Sequence, residues 1–163
     1  MGVREQVVED LRRGDFAALA AQAARQPRVL RALLGRLWDT EPLLCAGAAQ
    51  TLGALAAQQP EKATELVRRL VWALNEESGT NGAAVVPALA AMAKAAPDVV
   101  GPFAGALVAH LDDDGLRADL LQVLATLQHT GPAWIEPHAT DIARWGLQPS
   151  GDGLPSGGEE VTK

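Results

Sequence analysis

The 163-residue chain contains no tyrosine, only two phenylalanines and a single cysteine. One cysteine, Cys45, excludes an internal disulfide and fits a reducing compartment. The aromatic and β-branched residues that fill sheets are thin, which excludes an all-β fold and argues against a doubly wound α/β fold. No run of 18 uncharged apolar residues occurs, so no membrane span is expected. The opening MGVREQVVEDLRRGD has no apolar signal core, and a cytoplasmic location is expected.

The residues of site chemistry are equally sparse. His110, His129 and His138 include no pair at the i, i+4 spacing of a helical zinc site, and there is no second cysteine. No metal site is expected. Gly79 and Gly82 fit neither the dinucleotide nor the P-loop pattern, so no cofactor is expected either. Cys45 lies in an alanine-rich stretch, where a small buried thiol is the expected role.

What fills the chain instead is alanine and leucine, 31 and 23 residues, about a third of all positions. Both lead the helix-propensity ranking. Prolines at 27, 60, 97 and 132 bound the helical stretches at spacings of 33, 37 and 35. Each interval holds two apolar-periodic segments: Arg28–Trp38 with Leu43–Gln58, Glu61–Asn75 with Ala83–Ala95, and Asp98–Leu111 with Leu116–Gln128. Leu116, Leu120, Leu124 and Leu127 show the helical step, as do Val100, Phe103, Leu107 and Leu111. A two-helix unit recurring every mid-thirties residues predicts an all-α fold, a short α-solenoid of about three helix pairs.

Val3–Arg13 and Asp15–Arg25, broken at Gly14, are expected as N-terminal cap helices, and Trp134–Trp145 as one C-terminal helix. Pro87 predicts a late start or a kink in its helix, and Pro102 is expected in the first turns of its own. Trp38 and Trp72 are expected in the packing between repeats, and Trp134 and Trp145 in the terminal cap. Residues 1–147 form the expected single domain. Residues 148–163, rich in Gly, Pro and Ser, are expected to be a disordered tail.

The segment HLDDDGLRADLLQVLATL, His110–Leu127, resembles a HEAT repeat of the PBS-lyase-like bacterial form. The Leu, Asp, apolar and Arg positions of that pattern fall on Leu111, Asp112, Leu116 and Arg117, with a turn about one residue shorter. A wider resemblance, through Asp15–Asp39 and Pro60–Gly79, is to a group of small bacterial HEAT-repeat proteins. Its Trp-x-Leu-Asn-acid-Glu-Ser-Gly signature is matched by Trp72 and Leu74 to Gly79. That group usually continues with a Trp and a Pro-Glu pair, where this chain has Ala83, Val86 and Pro87. The resemblance implies HEAT-like packing and brings no assigned reaction.

Two polar clusters are candidate binding residues. NEESGTN supplies Asn75, Glu76, Glu77, Ser78 and Asn81 at a helix end, as a recognition loop or a weak site for a hard cation. Its competing role is a helix stop with local side-chain caps. Asp112, Asp113 and Asp114 form an acidic turn without the ligand alternation of a calcium loop. Charge divides along the chain: residues 1–72 carry net +2 and residues 73–163 net −8. The overall −6 argues against nucleic acid. The acidic half favours a basic protein partner. Arg25, Arg28, Arg31 and Arg36 form a small basic patch that is either a solvated helix face or a contact for an acidic protein.

No nucleophile, base and metal set converges in the sequence. The expected function is therefore a non-catalytic protein-protein interaction or scaffold module. The alternative is an accessory or lyase-like factor that binds a prosthetic group or small ligand.

Overall fold

The computed structural model describes residues 2–75 and 79–146, the side chains of residues 79–81 excepted. The expected tail, 148–163, and the segment Glu76–Ser78 lie outside the described residues. Every described element is helical and none is a strand, so the fold is all-α. The helices are α1 (Val3–Arg13), α2 (Phe16–Arg25), α3 (Pro27–Gly35), α4 (Pro42–Gln58), α5 (Pro60–Ala73) and α6 (Gly79–Ala95). They are followed by α7 (Pro97–Val100), α8 (Ala104–Ala109), α9 (Asp114–Thr130) and α10 (Ala139–Ala143).

The proline spacing reappears as a repeated joint. Gln26, Gln59, Ala96 and Gly131 each end one helical segment and begin the next. All four leave the helical region, with φ between −125° and −155° and ψ between 66° and 105°, Gln26 in extended backbone. A following proline imposes this departure, because its ring crowds the preceding residue out of the α region. The amide of each joint residue still donates to the carbonyl four residues back, at 2.7–2.9 Å. Proline then opens the next helix at a position that needs no N–H. A single residue thus reverses the chain, and α1–α2 leads into the first of these joints. The break between α1 and α2 is Gly14 at φ +82°, a left-handed value that suits glycine.

Because the joints are so short, successive helices alternate between two layers. α2, α4, α6 and α9 lie side by side in chain order, and α4 sits between α2 and α6. This explains the composition of α4: Leu44, Ala48, Leu52, Leu55 and Ala56 are all buried, and apolar residues surround most of the helix. Small residues bring these axes close. A Cβ on Gly53 would stand 3.0 Å from the carbonyl oxygen of Ala91 in α6. Ties between neighbours within this layer fix the register: Gln58 Nε2 of α4 donates to the Ala17 carbonyl of α2 (3.0 Å), and Thr130 Oγ1 of α9 to that of Ala93 in α6 (3.1 Å).

The other layer holds α1, α3, α5 and the short α7 and α8. Here α1 packs on α3 and α5 on α7, whereas α3 and α5 do not pack closely. The 3-10 turn Arg36–Trp38 that ends α3 rests instead on both α4 and α6. Arg12 of α1 clamps Glu41, just before α4, with two bonds of 2.6 and 2.9 Å. That hydrogen-bonded carboxylate and its charge push the guanidinium pKa up from its ordinary value.

Proline positions correct three sequence expectations. The Trp134–Trp145 helix is absent: 3-10 turns at Pro132–Trp134 and Glu136–His138 precede the five-residue α10. Pro137 has no amide to bond back, and its ring would clash with a carbonyl one turn earlier. Pro102 lies in the 3-10 turn Gly101–Phe103, which divides α7 from α8, rather than opening one continuous helix. Around Pro87 the reverse holds. α6 begins at Gly79 and runs through it to Ala95, with no late start.

The terminal cap is pinned by Trp134. Its ring lies so near Gly101 that a Cβ there would fall 2.2 Å from Cγ, and its Nε1 donates to Asp98 Oδ1 at 3.0 Å. Gly101→Ala is expected to lower stability by about 1–3 kcal/mol through overpacking. Gly35, with nothing within 4 Å of a built Cβ, gives the opposite sign. Gly35→Ala should gain up to about 1 kcal/mol from helix propensity. Urea unfolding followed by circular dichroism measures both.

Candidate interaction surface

The acidic turn at Asp112–Asp114 proves to be largely a helix start. Asp113 is the N-cap of α9, its Oδ1 accepting from the Gly115 amide at 2.9 Å. Asp114 pairs with Arg117 at 2.7 Å across the first turn. Arg117 also donates from Nε to the Leu111 carbonyl at 2.7 Å, and its guanidinium lies 4.1 Å over the Trp145 ring. Two of the three carboxylates therefore hold the α8–α9 turn, and only Asp112 stands exposed without such a role among the described contacts.

The other polar cluster is seen only in part. Asn75 is exposed just beyond α5, its amide bonded to the Trp72 carbonyl at 3.0 Å. Glu76, Glu77 and Ser78 lie outside the described residues, as does the side chain of Asn81. Cys45 differs from its expected burial. It is half-buried in the first turn of α4, and its thiol donates to the carbonyls of Asp39 (3.0 Å) and Glu41 (3.4 Å).

Two of the tryptophans depart from the expectation. Trp38 and Trp72, expected between repeats, are 45% and 71% exposed, while the terminal pair is half-buried. The cause is helical phase. Along α5 the core takes Ala63, Leu66, Val67, Leu70 and Val71, at steps of three and four. A residue 100° beyond Val71 and 200° beyond Leu70 leaves that stripe. At the end of α3, Leu37 enters the core and Trp38, next in the 3-10 turn, points out. The step pattern of α5 was readable in the sequence; the 3-10 turn was not.

Trp38 borders the space left where α3 and α5 do not pack closely, and Trp72 stands exposed on α5 beside it. A hollow of about 280 Å³ near the joints includes Arg25, Leu30, Lys62 and Leu66. A second, about 180 Å³, is walled by Leu34, Trp38, Leu66, Leu70 and Ala73. A third, about 430 Å³, lies by Arg68, Trp72 and Ala73. Arg69 borders all three; the first two also share Leu66 and run between α3 and α5 as a groove with an apolar floor and basic banks, and the third adjoins it on α5 alone. Of the sequence's basic patch, only Arg25 belongs to it. Arg28, Arg31 and Arg36 line a separate open hollow of about 820 Å³ between α1 and α3.

Among the described residues, no three His, Cys, Asp or Glu side chains are grouped to hold a metal ion, and no helix is long and apolar enough to cross a membrane. No protein family, curated protein or solved structure matches this chain.

Asp113→Ala should destabilise the fold by about 0.5–2 kcal/mol, the usual cost of losing an N-cap. Asp112→Asn should stay within about 0.5 kcal/mol of the parent, as a surface change without a structural partner. Chemical denaturation separates the two. Equal, negligible effects would show that the Asp113 cap contributes nothing.

Proposed function

We propose that this chain is a non-catalytic protein-binding module of the cytoplasm, built as a short HEAT-like solenoid like the small bacterial repeat proteins its sequence resembles. The observation that carries this reading is a pair of exposed tryptophans, Trp38 in the groove between α3 and α5 and Trp72 on α5 beside it. Large apolar side chains left in water are costly. Grouped beside a groove, they suit the centre of an interface, where tryptophan and arginine are enriched. The repeated one-residue joints support the solenoid description, since each recreates the same chain reversal. The acidic turns that suggested a basic partner are partly engaged in local structure, so the groove becomes the favoured docking face. The concave spaces on the described surface are open grooves, which suit a polypeptide better than a prosthetic group that must be enclosed.

The test is capture from native extract by the tagged protein, compared with a Trp38→Ala, Trp72→Ala double variant. Both sites are exposed, so the variant should retain its helical circular dichroism. A specific protein held by the parent and depleted about tenfold or more by the variant is the expected outcome, as for loss of an interface anchor. No retained protein, with the fold intact, would overturn the reading and redirect the search to a small ligand.

A further inference from the structure

The geometry points to an acidic segment of another protein, carrying large apolar anchors, as the occupant of the α3–α5 groove. This rests on the binding-module reading and gives the partner its chemistry.

Charge supplies the first part of the case. The chain as a whole is −6, yet the groove is bordered by Arg25, Lys62 and Arg69 against one carboxylate, Glu65. Glu65 is already paired with Arg68, and Arg68 also faces the Phe103 ring at 5.9 Å. The Lys62 ammonium donates to the Ala24 carbonyl, which leaves its charge without a counterion. Arg25 and Arg69 have no carboxylate partner among the described residues. Three cations are thus uncompensated along one groove. Arginine is the more useful kind, since its planar fork can take a carboxylate with two bonds.

The floor supplies the second part. Leu30, Leu34 and Leu70 with Trp38 form a surface, flanked by the exposed Trp72, that backbone phosphates alone would leave uncovered. The 180 Å³ hollow suits one large apolar side chain, with Arg69 above it to meet an adjacent acid. A nucleic acid would need a longer basic track, and it would meet a strongly acidic C-terminal half. Alternating acids and apolar anchors on one polypeptide satisfy both the banks and the floor.

The test is selection of a random dodecamer peptide library on the full chain at low salt. Parallel selections use Arg69→Glu, Trp72→Ala, and the Asp112→Asn, Asp114→Asn pair. Enriched peptides should be net acidic and carry Leu, Phe or Trp. Their affinity, read by fluorescence anisotropy, should fall about tenfold or more with Arg69→Glu and with Trp72→Ala. Arg69→Lys should restore part of it, and added salt should weaken it. Arg69 and Trp72 are exposed, and unchanged thermal melts would show that both variants fold.

Enrichment of basic or uncharged peptides would overturn the inference while leaving a binding module in place, the more so if binding were lost in the Asp112, Asp114 variant. Acidic peptides indifferent to both groove variants would overturn it too. So would tighter binding of a labelled single-stranded DNA, or of phosphatidylserine vesicles, that Arg69→Glu abolished. No enriched peptide at all would count against both the inference and the module.

Discussion

Everything in this molecule follows from a joint one residue long. At Gln26, Gln59, Ala96 and Gly131 the backbone must finish one helix and start another without an intervening loop. The joint residue keeps its amide in the old helix, and its non-helical φ, ψ aims the next proline away from it. Buried backbone groups need partners. A reversal that leaves the joint amide bonded can therefore sit at the edge of a packed stack, exposed at Gln26 and Gln59 and half-buried at Ala96 and Gly131. Repetition of this unit sets the layers: each joint sends the chain from the α2–α4–α6–α9 layer back to the outer one.

Side-chain size then separates the two layers. The inner layer packs at close range because its contact positions are alanine and glycine, as at Gly53 against Ala91. Outer helices meet through leucine and valine and depend on what ends the preceding pair. After α3, the chain tightens into a 3-10 turn, which puts Leu37 into the seam over α4 and α6 and turns Trp38 outward. α5 consequently lies apart from α3, and the space between them is the groove. The surface proposed for binding is a by-product of how one repeat closes.

Much of this was legible from the chain. Proline spacing fixed the pair boundaries, and α1 was read with its observed bounds, because capping glycines and joint prolines act locally. What failed depended on tertiary phase or on a second proline. Pro137 broke the supposed last helix, while α6 starts at Gly79, earlier than Pro87 suggested, and packs between α4 and α9. Trp38 and Trp72 depart from the sequence reading for a related reason. Size and hydrophobicity argue for burial, but a residue's place around the helix decides it, and Trp72 lies off a stripe that Leu66, Leu70 and Val71 already complete. Conversely, the acids at Asp113 and Asp114 looked like a surface feature and serve as a cap and a short ion pair. Acidic residues at a helix start satisfy free amides and the dipole at once.

The groove's basic character within an acidic chain has a further consequence. At physiological ionic strength, charges more than about 8 Å apart across solvent are largely screened. On the proposed reading, an approaching acidic segment would therefore feel the groove's cations far more than acids elsewhere on the chain. In dilute salt the balance would shift, because the net −6 acts over a longer range and opposes the encounter. Affinity and approach rate would then answer to different charges. Arg25, Lys62 and Arg69 would govern the bound state, and the net charge would govern how readily it is reached. Such an arrangement would discriminate against generally polyanionic partners, which must remain near the whole surface. It would favour the proposed occupant, a short acidic segment whose apolar anchors reach the floor beside Trp38.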